Sequence, residues 1–437
     1  MKKTVFLFLG LLAAVSLLPG EEKKAWTLPQ IFTRVLQENE TVLSAVKEIE
    51  KARVVHRSAY SRLIPSANFS AGLTRYGEEL TIDLGEDGSF EVIPQTDWTY
   101  GVHVRQILYA GGRPRRGLKY AANLEKLSRK SFVRVRQEVL LQVAAAYIEI
   151  LKAMEDLEIS RKSHEMSARR LITAESLFRA GETARTAVLR AKVSVAGAER
   201  DIILSENFLA KAREYFSLLT SLRGDYELTP IEEPELPEKS LEELIRLAAR
   251  HREEMEMIRL ELLNTDLNIR IRKGERFPVL TADFNYIRQK SEFPADRWYN
   301  FVIGFSVPIF DGGVTASRVE IARQEKEQVV LRKSELEKSI RSEVTDAFLN
   351  LQDVLRALDV VASEVAFAGL NYEDTKNMYS VGEATSLDML DAEKSLINAE
   401  RLSSILKNDR ILANFSLQNS TGIFARDRIQ EGNHNAP

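Results

Sequence analysis

The chain has 437 residues, with 61 Lys and Arg against 64 Asp and Glu for a net charge of −3, and no cysteine. Near-balanced charge gives no support for nucleic-acid binding, and the lack of cysteine excludes disulfides, cysteine-ligated metal and a thiol for lipid attachment. After the first residues no stretch approaches the roughly 20 consecutive apolar residues of a membrane-spanning helix, so any later crossing has to be made by β-strands.

Met1 to Gly20 reads as a secretory signal, with Lys2 and Lys3 ahead of an apolar Val5 to Val15 and small or turn residues before Glu21-Glu22. The mature chain is expected to leave the cytoplasm. All 12 prolines lie outside two windows, 115–229 and 309–436. Windows this long, without proline and rich in Ala, Leu, Glu, Arg and Lys, predict long helices.

The chain overlays on itself at two offsets. Leu28 matches Leu241 and Pro65 matches Pro278 at 213, whereas Gly112 matches Gly313, Gly181 matches Gly382, and Ala198-Glu199-Arg200 matches Ala399-Glu400-Arg401 at 201. The 12-residue difference falls between Pro65 and Gly112, which places a longer loop at about residues 77–97 of the first half. Such self-similarity marks a repeat. The division is a signal at 1–20, a first repeat over 21–223, a proline- and acid-rich connector at 224–240, a second repeat over 241–424, and a disordered tail at 425–437.

Each repeat is predicted as helix, two strands, long helix, turn, helix. The first helix is expected over Leu28 to Arg62. In the first pair of strands Phe69, Ala71 and Leu73 alternate with Asn68, Ser70, Gly72 and Thr74, and Trp98, Tyr100, Val102 and Val104 with Thr99, Gly101, His103 and Arg105. In the second pair Leu280, Ala282, Phe284 and Tyr286 alternate with Thr281, Asp283 and Asn285, and Phe301, Ile303, Phe305, Val307 and Ile309 with Asn300, Val302, Gly304 and Ser306. One face is apolar, the runs have the length of tilted membrane strands, and aromatics cluster at both ends as interfacial girdles do. A soluble half-buried sheet alternates in the same way. If the strands do cross lipid, four cannot close a barrel of at least about eight, so the barrel is shared: 8 strands from two chains, 12 from three, 16 from four.

Pro114, placed as a first-turn proline, opens a helix running to Phe178, roughly 98 Å at 1.5 Å per residue. Val133, Leu140, Tyr147 and Met154 form one heptad stripe and Val143, Ile150 and Leu157 another, which specify helix neighbours. A shorter helix over Thr186 to Ser221 follows. Both halves turn at a glycine, in Phe178-Arg179-Ala180-Gly181-Glu182 and Tyr379-Ser380-Val381-Gly382-Glu383, the tips of two helical hairpins. The fold class is mainly α with a small β part, in two repeats.

Chemistry is sparse. The five histidines, His56, His103, His164, His251 and His434, have no ligand spacing. The glycines of Ala110-Gly111-Gly112-Arg113-Pro114-Arg115-Arg116-Gly117 lack the terminal Lys-Ser/Thr of a phosphate loop and suit a strand-to-helix bend. Arg113, Arg115 and Arg116 fit either a solvated face or anionic lipid headgroups. Asp388 and Asp391 share a helix face just after the second turn, where Thr385 and Asp388 also fit a capping box. The first repeat has Ala187 and Arg190 at the matching positions, so the hairpin itself does not demand acids.

Leu63-Ile64-Pro65 entering a strand, Pro308-Ile309-Phe310-Asp311-Gly312-Gly313 leaving one, and Tyr379-Ser380-Val381-Gly382 followed by Leu387-Asp388-Met389-Leu390-Asp391-Ala392 resemble the TolC family of outer-membrane efflux channels from Thr27 to Phe424. The resemblance implies a homotrimer, a 12-stranded barrel in outer-membrane lipid and a coiled-coil-like α-helical barrel in the periplasm. Its function would be that of a passive conduit in a tripartite efflux or type I export system, gated at its periplasmic tip and not an enzyme. A periplasmic adaptor, or membrane fusion protein, and an inner-membrane transporter would be its partners. The pore constriction would lie at Asp388, Asp391 and Tyr379, and the adaptor would meet the hairpin tips at Gly181, Glu182, Gly382 and Glu383. Ala384 stands where the family's best-known member has arginine, which argues against an arginine lock there. Six carboxylates round one pore would raise some of their pKa values by repulsion and favour cations. The different reading is a periplasmic coiled-coil scaffold or adaptor without a pore.

Overall fold

The computed structural model describes residues 25–83, 85, 89–232, 239–291 and 295–424; the expected signal, the expected tail and part of the connector lie outside these. Among the described residues no helix is long and apolar enough to cross a membrane.

The first repeat begins with β1 (Ala25–Trp26), α1 (Leu28–Glu38) and α2 (Glu40–Ser61). One helix was expected over 28–62, and Asn39 divides it. Its side-chain oxygen accepts from the backbone amides of Thr41 at 3.0 Å and Val42 at 3.3 Å, an N-cap for α2. Its Nδ2 donates to the Leu219 carbonyl at 3.1 Å, so a contact 180 residues away fixes the break. Next come β2 (Ser66–Arg75), β3 (Leu80–Asp83), β4 (Ser89–Ile93), β5 (Thr96–Ala110), α3 (Arg113–Ala180, 68 residues) and α4 (Arg185–Thr220). The extra residues of the first half thus form the small hairpin β3–β4.

β6 (Glu227–Leu228) lies within the expected irregular connector and pairs in parallel with β1. The second repeat runs α5 (Leu241–His251), α6 (Glu253–Lys273), β7 (Val279–Gln289), β8 (Arg297–Ser306), α7 (Val314–Ser380, 67 residues) and α8 (Ser386–Ser420). Its first helix also breaks, here at Arg252, whose guanidinium pairs with Glu254 at 2.9 Å and with Glu343 of α7.

β2, β5, β7 and β8 form one antiparallel sheet in that order, with β2 and β8 at its edges. Phe69 lies opposite Val102, Val102 opposite Tyr286, and Phe284 opposite Phe301, so the apolar positions share one face. That face is uncovered: Leu73, Phe301, Ile303 and Phe305 are 74%, 64%, 62% and 67% exposed. On the other face a chain of polar contacts crosses all four strands. Ser70 Oγ is 3.1 Å from His103 Nε2, His103 Nδ1 is 2.8 Å from Asn285 Oδ1, and Asn285 Nδ2 donates to Asn300 Oδ1 at 2.8 Å. Arg105 and Asp283 pair beside it.

At the strand-to-helix bends Gly111, Gly112, Gly312 and Gly313 all have positive φ. A Cβ at Gly111 would stand 2.3 Å from the Gly274 carbonyl oxygen, so glycine is also needed there for space. Arg113 and Arg116 donate to the carbonyls of Ala110 at 3.1 Å and Gly111 at 2.7 Å, which ties the arginine run to the bend itself.

The main core lies where α1, α3, α4 and the β1–β6 pair meet, around Ile31, Val35, Leu140, Val143, Tyr147, Ile150 and Phe216. Both heptad stripes of α3 turn toward it. The Tyr147 hydroxyl reaches the carbonyls of Trp26 at 2.9 Å and Thr229 at 2.7 Å and belts the chain's start to the connector.

Candidate functional site: the hairpin tips and the seam between them

Both tips are built alike. Glu182 N donates to the Leu177 carbonyl at 2.9 Å and Glu383 N to the Met378 carbonyl at 2.9 Å, each across a glycine of φ +80°. These are helix terminations of the Schellman kind, which leave Gly181, Glu182, Gly382 and Glu383 exposed at the hairpin ends.

Beyond the second tip, Thr385 caps α8. Its Oγ1 accepts from Asp388 N at 3.2 Å, while Asp388 Oδ2 accepts from Thr385 N at 2.9 Å and from Thr385 Oγ1 at 2.6 Å. Asp388 and Asp391 are both exposed. Repulsion was expected to raise pKa values here; in the protomer the hydrogen bonds from Thr385 hold the Asp388 carboxyl below the usual carboxylate value. Tyr379 does not join them. It is buried, 6% exposed, and burial pushes its hydroxyl pKa up.

Tyr379 lies instead beside a feature that the site reading of the sequence missed. Arg170 of α3 and Glu393 of α8 form an ion pair at 2.5 Å with side chains 1% and 6% exposed. Arg170 Nε and Nη2 and Glu393 Oε1 have no hydrogen-bond partner in the protein. Burial, against the counter-effect of Arg170, pushes the Glu393 carboxyl up to about 6. A signal existed in the sequence: Glu393 interrupts the inward stripe Met389, Ala392, Leu396 and Ile397.

This pair ends a polar seam along α3 and α8. Lys152 meets Asp409 at 2.5 Å, Asn408 Nδ2 donates to Glu155 at 3.1 Å, Arg401 meets Asp156 at 2.7 Å, and Lys162 meets Glu400 at 2.5 Å. Apolar contacts accompany the seam: Met166 of α3 packs with Leu396 and Ile397 of α8, and within the first hairpin Ala174 packs with Val188 and Ala191. A cavity of about 700 Å³ opens beside the seam, between α3, α4 and α8, with Glu393, Arg190 and Ser167 in its wall. Among the described residues no group of His, Cys, Asp or Glu could hold a metal ion.

Comparison with known proteins agrees along almost the whole length. Residues 31–220 and 244–423 match the family model described as outer membrane efflux protein. The chain is 24% identical over 431 residues to outer membrane protein TolC of Vibrio cholerae, covering 94% of this chain and 93% of that one. It is 21% identical over 405 residues to outer membrane efflux protein BepC of Brucella suis, covering 90% and 87%. The fold is shared with solved CusC, at a TM-score of 0.80, 18% identity and coverage of 90% and 92%. The outer membrane channel CmeC of Campylobacter jejuni shares it too, at a TM-score of 0.80, 14% identity and coverage of 92% and 88%.

Proposed function

The chain belongs to the outer membrane efflux protein family, and from that premise we propose that three copies close one barrel across the outer membrane and extend a helical duct through the periplasm. The protein is an outer-membrane channel of an efflux system. The sheet carries the shared-barrel reading, and the number three follows the family resemblance. Its apolar face is uncovered and its strands β2 and β8 each leave an open edge, which lipid does not tolerate, so β8 of one copy pairs with β2 of the next. Four strands from each of three copies make twelve, with the Ser70–His103–Asn285–Asn300 chain turned to the lumen. Large apolar side chains left uncovered on α4, such as Val193 and Leu204, and on α7, such as Val360, Phe367 and Leu370, suit contact between copies below the membrane.

The channel is a passive conduit. A periplasmic adaptor meets the tips at Gly181, Glu182, Gly382 and Glu383 and links them to an inner-membrane transporter. Asp388 and Asp391 of the three copies ring the periplasmic entrance and draw cations to it, while the Thr385 cap keeps Asp388 ionised. Tyr379 backs this ring from within the helix packing rather than lining it. Planar-bilayer recording tests the reading: the purified protein conducts and prefers cations, and Asp388→Asn with Asp391→Asn shifts the reversal potential under a salt gradient toward zero. Absence of conductance from correctly assembled protein would favour the scaffold. An unchanged reversal potential would reduce the two acids to helix caps.

A further inference from the structure

Taking the tip as the gate, we propose that the seam between α3 and α8 is a proton-coupled latch: packing the seam binds a proton at Glu393, and parting it releases that proton. The latch rests on how the pair is built. Arg170 and Glu393 are nearly inaccessible, yet they share a single hydrogen bond of 2.5 Å and leave three polar atoms without partners in the protein. A carboxylate so poorly solvated gains from protonation. The neutral acid keeps its contact with Arg170 through Oε2 and no longer leaves an unsolvated charge on the partnerless Oε1.

The surrounding groups leave the second carboxylate oxygen without a hydrogen-bond partner. From α3 only Arg170 touches the carboxylate. From α7 come Tyr372 and Tyr379, whose own hydroxyls are pushed up by burial. Across the cavity α4 presents Arg190 and the Arg200–Asp201 pair, and α8 itself presents Lys394 and Arg401, the latter paired with Asp156 of α3. The cavity supplies the other half of the device, because separation of the seam lets water reach Glu393 from space already present.

The sign follows from linkage. The packed seam holds the proton up to about pH 6, against the reference value of 4.5 for a hydrated glutamate. Packing is therefore favoured in acid, and the advantage is lost as pH rises through about 6. The difference corresponds to roughly 30-fold in the parted-to-packed ratio for each protomer between the two limits. If three protomers part together, three protons leave together and the transition steepens.

The cysteine-free chain suits a direct test. Spin labels at Ser176→Cys on α3 and Ser395→Cys on α8, both exposed positions, report the seam distance in the assembled protein by electron–electron resonance. The packed distance should dominate at pH 4.5 and lose population by pH 7.5, while Glu393→Gln, which mimics the neutral acid, should hold the packed distance at both values. In parallel, the infrared band of the protonated carboxyl that Glu393→Gln removes should titrate near pH 6 in the wild type. A seam that loosens in acid, one indifferent to pH, or a Glu393 band that titrates like a hydrated glutamate would each overturn the latch. Neither readout requires ion conduction, so a protein whose seam titrates but conducts nothing would leave the latch standing and remove the channel reading.

Discussion

Arginine placed on opposite faces of one strand separates a lipid-facing sheet from a soluble one. Ile303 and Val302 are neighbours in β8, with Ile303 on the apolar face opposite Ala282 and Val302 on the polar face opposite Asp283. Ile303→Arg puts a cation into hydrocarbon near the middle of a strand of 10 residues, at a cost of roughly 2–4 kcal/mol per copy. One copy alone lowers the assembly equilibrium constant by roughly 30- to 900-fold at 1.36 kcal/mol per decade, and three copies multiply the effect. Val302→Arg places the same side chain on the polar face opposite Asp283, the lumen side of the proposed barrel, and should assemble at close to the wild-type level. The assay is the amount of detergent-extracted trimer from outer-membrane fractions, resolved without heating. Equal loss from both variants, or a greater loss from Val302→Arg, would refute the assignment of the aromatic face to lipid.

Other perturbations read the belt and the bends. Tyr147→Phe removes the hydroxyl shared by Trp26 and Thr229, and should cost about 1–3 kcal/mol in thermal or denaturant unfolding with the fold intact. Gly111→Ala, with no room beside the Gly274 carbonyl, should abolish or severely reduce trimer yield. Gly181→Ala, at φ +80° in open space, should pay only the left-handed backbone penalty of roughly 1–2 kcal/mol, and circular-dichroism melting of the two variants compares them.

The long helices were legible because proline and heptad spacing are local signals, and the strands because the period-two alternation survives in each half. The self-overlay added the order of elements. Breaks at Asn39 and Arg252 were not legible, since partners as distant as Leu219 and Glu343 specify them. The capping role of Asp388 could be read from Thr385 three residues earlier, whereas the burial of Tyr379 depends on tertiary packing, which no local pattern encodes. Glu393 was visible as a misfit in an apolar stripe, but only its cross-helix partner gives that misfit a chemical meaning. What Asp388 and Asp391 do at an entrance depends on copies of the chain that a single protomer does not contain.

The belt at Tyr147 also sets a mechanical scale. From Tyr147 to the end of α3 at Ala180 the unbroken helix is about 50 Å long at 1.5 Å per residue, free of the breaks that interrupt α1–α2 and α5–α6. A rod pinned at the belt works as a lever: a swing of about 10° moves its far end by roughly 9 Å while atoms near the fulcrum shift by less than a bond length. Wide travel at the tip can therefore coexist with an undisturbed core, and the work of moving it is done against contacts far out along the arm, the Arg170–Glu393 pair and the packing of Met166 on Leu396 and Ile397, where leverage is greatest.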